Sequence, residues 1–142
     1  GPAVPQGQVL NNPVEMLSIY PTLLELCQLP SYQRNEGISL VSLMHNPDSS
    51  EPYTAITTFG QHNHGIRTEH YRYIQYEDGL GEFYDFRSDP EEWDNLFSNQ
   101  DYQQEIAAHR ALLPQVNVNW NQHSQYTFQP YFVEQKSRSI DN

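Results

Sequence analysis

Apolar residues recur at helical spacing near the start of the chain. Ile19, Leu23 and Leu26 lie four and three positions apart, which is the spacing of one face of an amphipathic helix. Ser18 precedes the group and is a suitable N-cap residue. The pattern predicts a helix over residues 18–27 whose apolar face is buried.

A second helical pattern lies in the last third of the chain, over residues 99–113. Ser98 and Asp101 have the spacing of a capping box at its start. A shorter helix is predicted over residues 40–44, where Pro47 soon stops the pattern. The residues that share one face of the long helix are expected to form its core side: Tyr102, Ile106, His109 and Leu113.

Between the helical patterns the chain has the composition of β-strands. Residues 60–65 and 77–81 carry turn-forming residues and predict a loop and a turn. β-branched and aromatic residues dominate the predicted strands, which are residues 53–59, residues 66–68 and 71–76 as one or two strands, and residues 82–85. Short connections of this kind are typical of an antiparallel meander. The predicted fold class is therefore α+β, a small antiparallel sheet with a C-terminal helix packed against it.

The net charge of the chain limits the classes of partner that it could bind. Its net charge is −11, from 18 acidic and 7 basic residues, and Lys136 is its only lysine. Because a nucleic-acid-binding surface needs a basic field, we expect no nucleic-acid partner. No stretch approaches the roughly 20 apolar residues of a membrane span.

The chain has a single cysteine, Cys27, so an internal disulfide is impossible. Its position among leucines predicts a buried side chain and argues against a nucleophile. No pairing of a nucleophile with a base and a third orienting group is recognisable, so no catalytic residue is predicted in this chain.

The candidate binding residues lie in the predicted loop and just beyond it. Imidazole and guanidinium groups are suited to anions, and arginine can bind sulfate oxygens through a bidentate fork. Two histidines one residue apart could instead begin a metal site, but a third ligand is lacking, so no metal site is predicted. A third interpretation is that these groups only satisfy neighbouring polar atoms. The candidates for substrate contact are His62, Asn63, His64 and Arg67.

Two further clusters favour a structural interpretation over a functional one. The carboxylates after the last strand lack the spacing and the glycine of a calcium-binding loop, and an Asp-Pro pair is typical of a turn. The aromatic residues have strand spacing, which indicates sheet core rather than a stacking platform. The two clusters are Asp85, Asp89, Glu91, Glu92 and Asn95, and Tyr71, Tyr73, Tyr76, Phe83, Tyr84 and Trp93.

Three segments resemble a known family in their order and spacing. Residues 14–30 contain Tyr-Pro-Thr-Leu-Leu followed by Leu-Pro, residues 36–44 contain Gly-Ile-Ser-Leu, and residues 82–96 read Glu-Phe-Tyr-Asp-Phe-Arg-Ser-Asp-Pro-Glu-Glu-Trp-Asp-Asn-Leu. Together they are similar to the C-terminal portion of sulfatases in the alkaline phosphatase superfamily, particularly iduronate-, choline- and heparan-type bacterial enzymes.

The resemblance implies an organisation in three parts. Residues 1–50 would end the catalytic domain, residues 51–114 would form the C-terminal subdomain with a four-stranded antiparallel sheet and a packed helix, and residues 115–142 would be an irregular tail. Calcium and a formylglycine, made from Cys or Ser in a Cys/Ser-x-Pro-Ser-Arg motif, would belong to an N-terminal domain. Cys27 is followed by Gln-Leu-Pro and does not fit that motif.

The resemblance also implies a function. The chain is expected to complete the fold and substrate pocket of a sulfuric ester hydrolase, and to be inactive alone. Its partners would be the N-terminal catalytic domain and a sulfated small molecule or glycan. Two alternatives are a stand-alone binding module and a phosphate or phosphonate hydrolase of the same superfamily. Location stays open, although a family member would be expected in the periplasm or outside the cell.

Overall fold

The computed structural model describes residues 6–7, 9–46 and 53–118. Two short helical elements come before the sheet and one follows it. The 3-10 turn Met16–Ser18 runs into helix α1, and Gln100–Tyr102 runs in the same way into helix α3. The elements are α1 (Ile19–Leu26), α2 (Val41–His45), β1 (Ala55–Thr58), β2 (His64–Arg67), β3 (Tyr71–Gln75), β4 (Gly81–Asp85) and α3 (Gln103–Arg110).

The four strands form one antiparallel sheet in the order β1-β2-β3-β4. Ile66 lies opposite Ile56 on one side and Tyr73 on the other, and Tyr73 lies opposite Phe83. This row of apolar residues crosses the sheet on a single face because side chains alternate along each strand. The predicted α+β meander is confirmed. The loop predicted at 60–65 is shorter than expected, because β2 begins at His64.

Helix α3 packs against that apolar face of the sheet. Ile66, Tyr73 and Phe83 are fully buried together with Ile106 of α3. His109 is buried as well, and its Nδ1 donates to the Glu105 carbonyl oxygen at 2.7 Å. The predicted core side of the long helix is confirmed, since Tyr102 and Leu113 also pack against this core.

The start of this helix differs from the prediction. Asn99, not Ser98, is the capping residue, because its side chain accepts a hydrogen bond from the backbone N–H of Asp101 at 3.0 Å. The first turn is a 3-10 turn, and α3 ends at Arg110 rather than Leu113. Asn99 satisfies a backbone donor that the first helical turn leaves unpaired.

Helix α1 is present, but its predicted core face is wrong. Ile19, Leu23 and Leu26 are 46%, 53% and 36% exposed, and Cys27 is exposed too. The side chain that α1 buries is Thr22, at 5% exposure. The physical reason is tertiary: the segment leading to α2 meets α1 at Thr22, whose hydroxyl accepts the backbone N–H of Leu40.

The approach of this segment to α1 depends on Gly37. A β-carbon there would overlap the Leu17 carbonyl group and lie 2.9 Å from the backbone nitrogen of Ser18. Gly37 therefore allows two backbone segments to touch, which a larger residue would prevent. Leu43 of α2 is buried as well.

The segment that follows β4, which we call the corner after β4, is held in place by hydrogen bonds between side chains and the backbone. The Asp89 carboxylate accepts the backbone N–H of Asp94 at 2.9 Å, and Asn95 Oδ1 accepts those of Phe83 and Phe97 at 3.1 and 2.9 Å. These contacts cover the outer edge of β4, which would otherwise present unpaired backbone groups. The structural interpretation of the acidic cluster is confirmed for these residues.

Candidate functional site

The candidate binding loop joins β1 to β2. His62 is exposed and has a positive φ of 64°, a conformation that directs the chain sharply through the turn. Asn63 holds the loop against the β3–β4 turn, because its Oδ1 accepts the backbone N–H of Glu77 at 3.2 Å. Its Nδ2 donates to the Gln61 carbonyl oxygen at 3.0 Å. Hydrogen bonds thus hold the loop in place at Asn63, whereas the His62 side chain is exposed to solvent.

His64 is the first residue of β2 and is buried. Its Nδ1 lies 3.0 Å from Thr58 Oγ1, and its Nε2 lies 2.7 Å from Asn117 Oδ1. A neutral ring with its hydrogen on Nε2 satisfies both contacts, since it donates to Asn117 and accepts from Thr58. The imidazole therefore joins β1, β2 and the segment that follows α3.

Arg67 lies at the other end of β2 and on the opposite face of the sheet. The burial along β2 alternates, so that His64 and Ile66 face the core while Arg67 faces outward. The Arg67 guanidinium carbon lies 3.5 Å from the centre of the Phe86 ring, and its side chain is 47% exposed. This stacking holds the guanidinium flat against the sheet.

One carboxylate, that of Glu92, offsets part of the positive charge of the two arginines on this outer face. Arg67 and Arg72 lie directly opposite each other in the register of β2 and β3, which would be repulsive without a counter-ion. Both Glu92 oxygens accept from Arg72 Nη1, at 2.9 and 2.8 Å, and one lies 3.7 Å from Arg67 Nη1. Glu92 adopts a φ of 59° to reach them. The pair spans 20 residues of chain, and no local pattern in the sequence predicts it.

A second carboxylate on the outer face holds two tyrosines. The hydroxyls of Tyr76 and Tyr84 donate to the two oxygens of Glu82, at 2.6 and 2.7 Å. The hydrogen bond to Glu82, followed by burial and by the negative charge of Glu82, raises the pKa of each tyrosine to about 12. The outer face is therefore an organised polar surface.

The structure does not bring all four candidate residues together. His62, Asn63 and His64 are consecutive at one end of β2, whereas Arg67 lies about 10 Å further along the strand. The side chains of His64 and Arg67 are on opposite faces. Their contact with a substrate stays a prediction, with His62 and Arg67 as the exposed members.

The buried carboxylate of this region belongs to a structural pair. Asp85 accepts from the backbone N–H, Nε and Nη2 of Arg87, at 3.0, 2.9 and 2.6 Å. These hydrogen bonds lower the pKa of Asp85 below its usual value, outweighing the opposing effect of burial. The same contact raises the pKa of Arg87.

The described part of the chain contains neither a cluster of metal-ligating side chains nor a helix that could span a membrane. Within residues 6–7, 9–46 and 53–118, no three His, Cys, Asp or Glu side chains are grouped so that they could hold a metal ion. Over the same residues, every helix is too short or too polar to cross a membrane. Cys27 lies exposed at the end of α1, so the described residues do not assemble a site around it.

Comparison with known proteins places this arrangement in a family. A family model described as N-sulphoglucosamine sulphohydrolase, C-terminal, matches residues 2–119. A sulfatase from Formosa agariphila is 54% identical over 142 residues, which are 100% of this chain and 28% of the relative. Human arylsulfatase K is 29% identical over 147 residues, covering 90% of this chain and 27% of the relative.

The likeness extends to solved structures. A structure described as a 2-O GAG sulfatase superposes with a TM-score of 0.60 at 21% identity, covering 100% of this chain and 30% of that one. This shows that the fold is shared. The chain spans less than a third of the length of each of these proteins. By its match to the family model over residues 2–119, the chain belongs to the sulfatase family and corresponds to its C-terminal portion.

Proposed function

We propose that the full-length protein hydrolyses sulfate esters, and that this chain completes its fold and one wall of its substrate pocket. The observation that carries the proposal is the family match over residues 2–119, combined with the 54% identity to a sulfatase along the whole chain. The division into residues 1–50, 51–114 and 115–142 belongs to the same proposal. The part of the tail beyond residue 118 and the junction at 47–52 lie outside the described residues.

In this proposal the chemistry occurs in the N-terminal portion. Calcium and a formylglycine would supply charge stabilisation and the nucleophile there. Within the part of the chain that the structure describes, the residues do not fit either group. The Asp85 and Asp89 carboxylates already accept hydrogen bonds inside the corner after β4, and Cys27 follows an α-helix without the motif that formylglycine formation requires. No step of the reaction is assigned to this chain.

The substrate class in this proposal is a sulfated glycan or small molecule. The 2-O GAG sulfatase with the same fold makes a sulfated sugar the first class to test. His62, Asn63, His64 and Arg67 are the proposed contacts. His62 is exposed at the loop tip, Asn63 orients the loop, and His64 supports it from below. Arg67 offers a guanidinium from the outer face of the sheet.

A sulfate-release assay on the full-length protein tests the activity. The panel should contain sulfated glycosaminoglycan sugars, choline sulfate, an aryl sulfate, and phosphate and phosphonate esters. Release of sulfate from full-length protein, with none from the isolated 142-residue chain, is expected. Activity on the phosphorus esters alone would favour the other hydrolase class, and activity of the isolated chain would overturn the division of labour.

Two substitutions distinguish a role of the loop in binding substrate from a role in stabilising the fold. His62→Ala removes an exposed ring without breaking a contact that the described residues make. His64→Ala leaves Thr58 and Asn117 unpaired, which costs about 1–3 kcal/mol of stability. If the loop touches substrate, His62→Ala raises KM while the melting temperature stays unchanged. An unchanged KM and unchanged preference in both variants would remove these residues from the pocket.

A further inference from the structure

The guanidinium of Arg67 is held in place, yet its N–H groups donate no hydrogen bond to the other described residues. Its carbon lies 3.5 Å from the centre of the Phe86 ring, which covers one flat side of the group. Its remaining contact is an ion pair with Glu92 at 3.7 Å, which is longer than a hydrogen bond. Arg67 is therefore an ordered, half-exposed cation whose donors are available to a ligand.

Arg72 places a second cation beside the first. It lies directly opposite Arg67 in the register of β2 and β3, so the two side chains leave the sheet next to each other. Glu92 accepts only from Nη1 of Arg72, and Nε and Nη2 make no hydrogen bond within the described residues. Two guanidinium groups thus share one carboxylate, and the three groups together keep a positive charge.

The other arginines that the structure describes lack this arrangement. Arg87 donates to the Asp85 carboxylate through Nε and Nη2, and Nε of Arg110 donates to the Tyr73 hydroxyl. Arg34 is exposed in the segment after α1. In a chain with a net charge of −11, the paired arginines on the outer face are where an anion would be attracted.

The surface beside the two arginines is open and is followed by an exposed aromatic ring. Gly65 occupies the outer-face position two residues before Arg67, and a β-carbon there would meet nothing within 4 Å. Trp93 directly follows Glu92 and is 83% exposed, so the prediction that it belongs to the sheet core is wrong. An exposed indole offers a flat apolar surface on which a sugar ring can pack.

We propose that Arg67 and Arg72 form a subsite for a sulfate group of a glycan chain, on the outer face of the sheet and apart from the loop at residues 62–64. A guanidinium fork suits the oxygens of such an anion. Arg67 lies about 10 Å along β2 from the loop and on the opposite face, so one sulfate group cannot touch both. The ligand is therefore a chain of several sulfated sugars, and the inference rests on the proposed function in taking a sulfated glycan as that ligand.

Binding of fluorescently labelled heparin fragments to the full-length protein tests the subsite. Fluorescence anisotropy gives the Kd of a heparin octasaccharide and of a heparin disaccharide. Arg67→Gln should weaken octasaccharide binding at least about fivefold and so reduce its advantage over the disaccharide. Arg34→Gln removes the same charge from an exposed position and should change the Kd less than about twofold. Equal octasaccharide Kd values for the two variants would overturn the proposal.

Two further variants distinguish sulfate binding from a role in the fold, with thermal unfolding used to check that each is folded. Arg67→Lys keeps the charge but lacks the fork, so its octasaccharide affinity should lie between those of the wild type and Arg67→Gln. Glu92→Gln removes the competing negative charge and should tighten octasaccharide binding about threefold, a gain that unfolding cannot produce. Unchanged affinity in folded Glu92→Gln protein, or wild-type affinity in both Arg67 variants, would contradict the subsite.

Three outcomes identify the ligand and keep this inference distinct from the proposed function. Inorganic sulfate that displaces the labelled octasaccharide as well as unlabelled octasaccharide does would assign the arginines to free sulfate and overturn the glycan subsite. Sulfate release by a protein whose octasaccharide affinity does not depend on Arg67 would overturn the subsite and leave the proposed function in place. Octasaccharide binding that depends on Arg67, in a protein that releases no sulfate, would overturn the proposed function and support the subsite.

Discussion

The hydroxyl of Thr22 accepts a hydrogen bond from the backbone N–H of Leu40, 18 residues further along the chain, at 2.9 Å. The same hydroxyl donates to the Ser18 carbonyl oxygen at 2.5 Å. One small side chain thereby ties α1 to the segment that leads into α2.

Replacing Thr22 with valine should separate these two segments. Valine keeps the shape but removes both hydrogen bonds and leaves the partly buried Leu40 N–H without its partner, so we expect a loss of about 1–3 kcal/mol in the free energy of unfolding. Urea denaturation of the full-length protein measures it. Thr22→Ser keeps the hydroxyl and should retain most of the stability; equal losses in both variants would contradict the role of the hydrogen bonds.

Gly37 should not tolerate a side chain, because its α-carbon faces the backbone of Leu17 and Ser18. Gly37→Ala should cost about 1–3 kcal/mol or more, since two backbone segments would have to move apart. Gly65→Ala is a matched control: a β-carbon at that strand position meets nothing within 4 Å. Its effect should stay within about 0.5 kcal/mol. Thermal unfolding of both variants checks the contrast, and an equally stable Gly37→Ala protein would refute it.

The pairing of Asp85 with Arg87 should make stability depend on acid pH. The pKa of Asp85 is lowered in the folded protein, so its ionised form stabilises the fold at any pH above its ordinary value of about 4. That contribution is lost as the pH falls below about 4 toward the folded pKa. Asp85→Asn should therefore differ from the wild type at neutral pH and converge with it in acid.

Denaturation curves between neutral and acid pH measure this difference. Asp94→Asn, which removes an exposed carboxylate on the same corner, is the control. A wild-type advantage that persists unchanged at the lowest accessible pH would show that the Asp85 charge is not its source.

The two tyrosines on the outer face of the sheet should lose their protons only at a pH above the usual range for tyrosine. The pKa of Tyr76 and of Tyr84 is raised to about 12 by the hydrogen bonds to Glu82. Because the folded pKa exceeds the unfolded value of about 10, the resulting stability is present below about pH 10 and is lost as the pH rises through about 12. Glu82→Gln removes the charge and should move both ionisations to lower pH.

An ultraviolet titration of tyrosinate, run on the wild type and on Glu82→Gln, follows the ionisation. Tyr76→Phe should remove one tyrosine from the late step and leave Tyr84 in it. Identical titration curves for the wild type and Glu82→Gln would contradict the assignment to Glu82.

Several elements were accessible from the sequence because they depend on local rules. Alternating β-branched and aromatic residues with short turns favour neighbouring antiparallel strands, and this predicted the sheet from residues 53–85. The core side of α3 followed from the spacing of Ile106 and His109. The capping residue was missed by one position, because Ser98 and Asn99 are both good caps and only the backbone conformation selects Asn99.

The geometry of the candidate site was harder to predict from the sequence than the fold, for a physical reason. The residue types of the loop were readable, but the direction of a side chain from a strand depends on where the strand begins. A start at residue 64 places His64 in the core and Arg67 on the opposite face. The partner of Arg72 could not be predicted from the sequence either, because Glu92 lies 20 residues away and reaches it through a residue with a left-handed backbone conformation.

By itself, the sequence determined the elements and the antiparallel order of the strands, because propensity, alternation and turn chemistry act over a few residues. The resemblance to sulfatases came separately, from the order and spacing of family-like segments such as residues 82–96. The tertiary structure alone decided that Thr22 is the buried residue of α1. Hydrophobic spacing indicated the stripe of Ile19, Leu23 and Leu26, but burial of a stripe depends on what lies against it. Here the facing segment offers a backbone N–H that pairs with Thr22, and the three apolar side chains stay partly exposed in the described part of the chain.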